Sequence, residues 1–249
     1  MLNTKQICVI GLVAVLMAAL LALDVKSLVK SQKEETANSG ETSRVTDFSN
    51  VTLETVSDNA KSTLNANLVR QITDLEKMLK SASKAEKLNL QKQLAQKWND
   101  VNIPAPSAFY TELIAGSENT FANWLKAGDT FTSAYQATQD TLVQPAFVQK
   151  AIAAYQKAEN LQPNNLETKI GLGVAYVSGT AEPMKGISLL LDVVKQEPNN
   201  VKANMNLGLF SMKSRQYDKA IKRFKVVTSQ TSQPEAWFYL GMSYENMGM

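Results

Sequence analysis

The side chains that carry most enzymatic chemistry are nearly missing from this chain. Among its 249 residues there is no histidine, and the one cysteine, Cys8, lies inside an apolar run near the N-terminus. Without imidazole there is no Ser-His-Asp or Cys-His nucleophile system and no His-ligated metal site. A lone cysteine cannot close an intramolecular disulfide, and Cys8 reads as a small apolar filler. Carboxylate, lysine and tyrosine chemistry stays formally open. Gly171 and Gly173 stand close together, but no G-x-x-x-x-G-K-[ST] and no strand followed by G-x-G-x-x-G surrounds them, so a nucleotide site is unsupported. The 26 basic and 23 acidic residues give a net charge of +3 with no long single-sign block. That balance does not require a nucleic-acid partner. The expectation is a protein that is not an enzyme and carries no cofactor and no metal.

The elements that would position other residues begin at the N-terminus. After a tail of residues 1–6, residues 7–23 form 17 consecutive uncharged positions, from Ile7 to Leu23. At about 1.5 Å per residue such a helix is roughly 25 Å long, near the lower limit for spanning a hydrocarbon core. A cleaved signal peptide and an uncleaved anchor both fit. The anchor is favoured because Ala18, Ala19 and Ala22 offer no clean A-x-A triplet. Lys26, Lys30 and Lys33 downstream outnumber Lys5, which by the positive-inside count would keep the bulk in the cytoplasm. The short N-terminal tail argues for export, and export is the expected outcome: a single-pass protein of a bacterial cytoplasmic membrane with its bulk on the periplasmic side. Residues 24–50, rich in Ser, Thr and Glu over their second half, read as a flexible tether. Asn50-Val51-Thr52 matches a glycosylation triplet of the kind that arises often by chance.

Leu53, Val56, Ala60, Leu64, Leu68, Ile72, Leu75 and Leu79 recur at steps of three and four. The spacing predicts one long amphipathic helix over residues 51–80. Its apolar stripe either packs on the body that follows or pairs with a second copy, and packing is expected because the heptad pattern is short.

From there the chain repeats itself. Leu172-Gly173-x2-Tyr176, Leu207-Gly208 and Trp237-x2-Leu240-Gly241-x2-Tyr244 place glycines 35 and 33 residues apart. Second helices show as Ala151-Ile152-x2-Tyr155-x2-Ala158 and Ala220-Ile221-x2-Phe224, with Pro163, Pro198 and Pro234 as segment closers. Gln162-Pro163-Asn164-Asn165 is nearly duplicated by Glu197-Pro198-Asn199-Asn200. Small residues let two helices approach, large ones fill between them, and proline stops the second helix.

These motifs resemble the tetratricopeptide repeat (TPR), W-x2-L-G-x2-Y, A-x3-F-x2-A and P over a 34-residue period. The resemblance implies an all-α fold, a right-handed TPR-type α-solenoid of antiparallel helix pairs, preceded by the transmembrane helix, the tether and the amphipathic helix. In that register residues 87–117 form a degenerate pair broken at Ile103-Pro104-Ala105-Pro106, and residues 118–163 a repeat with an insertion between Thr132 and Lys150 that extends its helices. Residues 164–198 and 199–233 form regular repeats, and residues 234–249 a first helix only, as in a fragment of a longer protein. Gly186, where Ala is usual, and a one-residue insertion within Ser178-Gly179-Thr180-Ala181-Glu182-Pro183 imply a looser helix turn. Lys169 and Asn204 stand where an aromatic residue is usual, which implies weaker packing. Trp98, Trp124 and Trp237 fall at core-filling positions, and Lys219, Lys222, Arg223 and Lys225 read as a solvated outer surface.

Family register also implies a partner-binding groove lined by first helices. Its apolar lining would be Ile170, Val174 and Val177, then Met205, Leu209 and Met212, then Phe238 and Met242. Lys202 joins Glu167, Glu235 and Glu245 in a charged fringe. Such a lining disfavours a clamp for an acidic C-terminus and suits a helix or extended peptide with hydrophobic anchors. The implied role is a membrane-tethered scaffold for a protein or peptide partner, assisting envelope assembly or cytochrome c maturation. The alternative is a structural subunit in which the Leu53–Leu79 helix makes a homo-oligomer.

Overall fold

A computed structural model describes residues 51–248. The expected spanning segment 7–23, Cys8, the tether and Asn50 lie outside the described residues. Among the described residues, no helix is long and apolar enough to cross a membrane, and all regular structure is helical.

The first finding is a correction. The periodic stretch 51–80 is two helices, α1 (Leu53–Lys61) and α2 (Ala66–Ser81). The apolar period runs unbroken through the junction at Leu64, but the residues around it, Ser62, Thr63 and Asn65, carry hydroxyl and amide side chains that bond the backbone in place of the helical ladder. Ser62 Oγ donates to the Asn59 carbonyl at 2.7 Å and Thr63 Oγ1 to the Ala60 carbonyl at 2.8 Å. Asn65 Oδ1 then accepts from the Leu68 amide and starts α2. Glu76 on α2 accepts from Ser57 Oγ at 2.6 Å and pairs with Lys61 at 2.7 Å, which ties the two helices together.

Next come α3 (Lys84–Asp100) and α4 (Pro104–Glu118), then α5 (Phe121–Ala137) and α6 (Gln144–Leu161). They are followed by α7 (Leu166–Gly179) and α8 (Pro183–Gln196), α9 (Val201–Lys213) and α10 (Tyr217–Gln230), and α11 (Pro234–Glu245). At 17 and 18 residues, α5 and α6 are longer than α7 and α8 at 14 each. The near-duplicate turns do two jobs. Proline ends one helix, and the second Asn caps the next: Asn165 Oδ1 accepts from the Glu167 and Thr168 amides, and Asn200 Oδ1 from the Ala203 amide. Pro234 does not close a helix; it occupies the first turn of α11, where its missing N–H costs nothing.

From α2 onward each helix packs chiefly on its neighbours in sequence, whereas α1 packs on α4. Successive first helices also touch, α5 on α7, α7 on α9 and α9 on α11, while second helices α6, α8 and α10 make no contact of comparable extent with one another. The first helices therefore form the inner side of the stack. The core runs along it. Phe109 meets Phe131 edge to face and Phe131 stacks on Phe147, with Tyr155 fully buried between α5 and α7. Ile72, Leu94, Trp98 and Tyr110 close the N-terminal end. The apolar stripe is used there, with Leu64 just before α2 and Leu75 and Leu79 on it packed against the Trp98 cluster.

The unusual residues of the repeats are each put to use, and the weaker packing expected at Lys169 and Asn204 is corrected. Gly186 lets α8 lie directly on the backbone of α7 at Gly173, a closer crossing than alanine would allow. Buried Asn204 donates to the Pro198 and Asn200 carbonyls, both at 2.9 Å, and accepts from Arg223 Nη1 at 3.1 Å. Lys169 pairs with Asp192 at 2.6 Å. At both positions hydrogen bonds take the place of an aromatic ring.

Candidate functional site

The predicted groove residues do not form one surface. Ile170 and Val174 are 6% and 7% exposed and belong to a core cluster with Leu190, Val193, Ala203 and Leu207. Their side chains are consumed by packing between repeats, so they are corrected from lining to core. Val177 is corrected too: it lines a cleft with residues of α8, α9 and α10. On α9, Met205, Leu209 and Met212 are half-buried against the Phe224–Leu240 cluster. Met242 is half-buried on α11, and Phe238 stands 62% exposed. These five make an apolar zone over α9 and α11. Trp237, expected to fill the core, is 55% exposed among the described residues, where α11 packs mainly on α10.

Lys202 does not stand free at the fringe. Its Nζ lies 2.5 Å from Glu167 Oε2, so the second position of α9 is paired with the second position of α7. Near this pair is a residue that the repeat register had within reach, Asp129, one position after Gly128 as Val174 is after Gly173. Tyr155 Oη donates to Asp129 Oδ1 at 2.8 Å and lies 3.2 Å from Thr132 Oγ1. The Asp129 carboxyl is pushed above the ordinary aspartate range, because the protein crowded around it outweighs the Tyr155 hydrogen bond and the Lys202 charge, with Glu167 adding to the rise. Asp129 is exposed by area yet enclosed on the inner side. Burial beside that carboxyl pushes the Tyr155 phenol far above its usual value.

The third zone lies between α3 and α5, which do not touch as later first helices do. The gap is a cleft of about 290 Å³ floored by Ser107, Thr111 and Ile114 of α4. Its walls are Lys92, Gln96 and Asn99 on α3 and Asn123, Lys126 and Thr130 on α5. Lys92 and Asn123 both bind Glu118, at 2.6 and 2.5 Å, and hold its carboxyl below the ordinary glutamate range. Gln96 Nε2 donates to Asp100 at 2.7 Å. The side chains of Asn99 and Lys126 make no hydrogen bond or ion pair with the described residues. The degenerate first pair hid this zone from sequence reasoning; the polar residues following Ala95 and Gly128 in register were the available signal.

The inner side is thus polar at α3–α5, charged at Asp129, Glu167 and Lys202, and apolar at α9–α11. The described residues hold no group of three or more acidic, Cys or His side chains arranged for a metal ion. An array of amides, hydroxyls and a free ammonium can donate to and accept from a peptide backbone, and nothing in it activates a nucleophile.

No protein-family model and no curated protein matches the chain. Among solved structures, a thermophilic TPR protein of Thermus thermophilus covers 81% of this chain and 100% of its own, with a TM-score of 0.52 at 12% identity. A weaker likeness, with a TM-score of 0.49 at 14% identity, links 81% of this chain to 87% of PilW, a type IV pilus biogenesis factor. At such identities the likeness bears on architecture alone. The helix pairs, their repeat register and the first superposition show that this chain has the tetratricopeptide-repeat fold.

Proposed function

We propose that the chain is a scaffold whose inner face holds an extended segment of a partner protein. The observation that carries this reading is the α3–α5 cleft, where Asn99 and Lys126 present unpaired polar groups beside buried polar floor residues. An amide can bond a peptide N–H and C=O together, and the ammonium suits a carbonyl or carboxylate of the segment. Met205, Leu209 and Phe238 supply apolar contacts further along, so a segment polar at one end and apolar at the other fits best.

The same proposal places the scaffold at a membrane. Its support is the uncharged run Ile7–Leu23, which would anchor the stack on the outer face of a bacterial cytoplasmic membrane, in the service of envelope protein assembly or cytochrome c maturation.

The test uses the full-length chain in intact membranes with a photo-crosslinking residue at Gln96, Thr130 or Phe238, and at Lys157 as a control outside both polar and apolar zones. The expected result is one protein partner crosslinked from the three inner positions and not from Lys157, lost in the Asn99→Ala, Lys126→Ala double variant. Absence of any inner-face adduct, or adducts indifferent to that variant, would sink the reading.

A further inference from the structure

A wide cleft lies on the other side of the stack, between the second helices α8 and α10, and encloses about 820 Å³. The sequence of α8 explains why it is apolar on both faces. Gly186, Leu190 and Val193 turn inward and are buried. Met184, Ile187 and Leu191, spaced three and four apart, line the cleft instead, with Met184 69% and Leu191 43% exposed. Leu207 and Phe210 of α9 form the floor.

The opposite wall differs in kind. Lys219, Lys222 and Arg223 of α10, again three and four apart, line it, and no acidic residue lines the cleft anywhere. None of the three forms a salt bridge among the described residues. Lys219 reaches only Gln216, and the half-buried Arg223 donates only to the neutral Asn204. Lys225, one turn away from this wall, lies over the Tyr244 ring instead. A partly desolvated guanidinium and two ammonium groups beside an apolar floor are stabilised by carboxylates that the described residues do not supply.

We propose that the α8–α10 cleft is a second docking site, and that its occupant is an acidic amphipathic helix of a partner protein. The apolar face of the helix would lie on Met184, Leu191 and Phe210, with carboxylates along one flank meeting Lys219, Lys222 and Arg223. The wall on α8 from Pro183 to Leu191 spans about two turns at roughly 3.6 residues per turn, so two turns of ligand carry the contact. A bilayer is the poorer fit, because the apolar residues line a recess between helices and do not protrude as a flat plane. This site is independent of the inner-face reading.

The experiment takes the full chain in nanodiscs of phosphatidylcholine and selects binders from a displayed library of helical peptides. Peptides that also bind the M184E/L191E chain are discarded, which removes ligands of the inner face. The expected survivors carry apolar residues at helical spacing and carboxylates on one flank, and lose about tenfold or more of their affinity against K219E/K222E, in which Arg223 keeps its bond to Asn204. The exposed positions of these substitutions predict unchanged helicity and melting, and M184E alone serves if the double variant melts lower. Failure to recover survivors, or survivors without acidic bias and indifferent to K219E/K222E, overturns the proposal. So does binding of phosphatidylglycerol vesicles at this wall, lost in K219E/K222E, with no peptide recovered.

Discussion

Gly173 on α7 and Gly186 on α8 are crossing points of two backbones: a Cβ on Gly186 would press into the Gly173 carbonyl oxygen and Val177, and one on Gly173 into Leu190. Backbone cannot move aside as a flexible side chain can. Gly186→Ala is therefore expected to destabilise the fold by about 1–3 kcal/mol, as overpacking does elsewhere. Gly241, at the repeat position of Gly173 but on α11, has nothing within 4 Å of its would-be Cβ. There alanine only removes glycine's cost in a helix, and Gly241→Ala should stabilise α11 by up to about 1 kcal/mol. Urea unfolding of the two variants should give midpoints shifted in opposite directions.

This pair also marks what the sequence could and could not say. The period of glycines predicts helix pairs, because a small residue every 33 to 35 positions has few other uses, and the pairs are present from α3 onward. The period says nothing about which neighbour a side chain meets. Ile170 and Val174 are core residues because α9 packs over them, a contact between repeats that no single repeat encodes. The Asp129–Tyr155 bond joins residues 26 apart in different helices, and a continuous apolar stripe concealed the break at Ser62–Asn65, where side-chain hydrogen bonds decide the matter.

The junction gives a second prediction. Asn65 Oδ1 supplies the N-cap of α2, and caps of this type contribute about 1 kcal/mol. Asn65→Ala should lower the stability of the N-terminal helices by that amount, whereas Asn65→Asp should keep it. Amide hydrogen exchange at Leu68 reports the difference directly: faster in the alanine variant, unchanged in the aspartate one.

Asn204 tests whether hydrogen bonds replace packing at the fourth repeat position. Asn204→Leu restores an apolar side chain but leaves Arg223 and the Pro198 carbonyl without their partner, and should cost about 1–3 kcal/mol. In Arg223→Met alone the Asn204 side chain keeps its two carbonyl bonds and the cost should be smaller. The double variant should be less destabilised than the sum of the singles, since the unpaired guanidinium is gone. Strict additivity in chemical denaturation would show that the Arg223–Asn204 bond carries no coupling.

The inner-face carboxylate makes the last prediction. Asp129 is held protonated to higher pH than a free aspartate by enclosure, against the opposing pull of Tyr155 and Lys202. Its proton is bound more tightly in the folded state than in the unfolded one. Between the unfolded and folded pKa values the native chain therefore holds more protons, and stability falls as pH rises through that window. Tyr155→Phe removes a donor to the carboxylate and should raise the Asp129 pKa further. Lys202→Met should raise it as well, while Glu167→Gln should lower it by removing a like charge. Carboxyl-carbon NMR titration follows Asp129 in each variant, and the three directions are fixed independently. A downward shift in Tyr155→Phe would mean that the phenol does not donate to the ionised carboxylate, and the charged middle zone of the inner face would need a different arrangement.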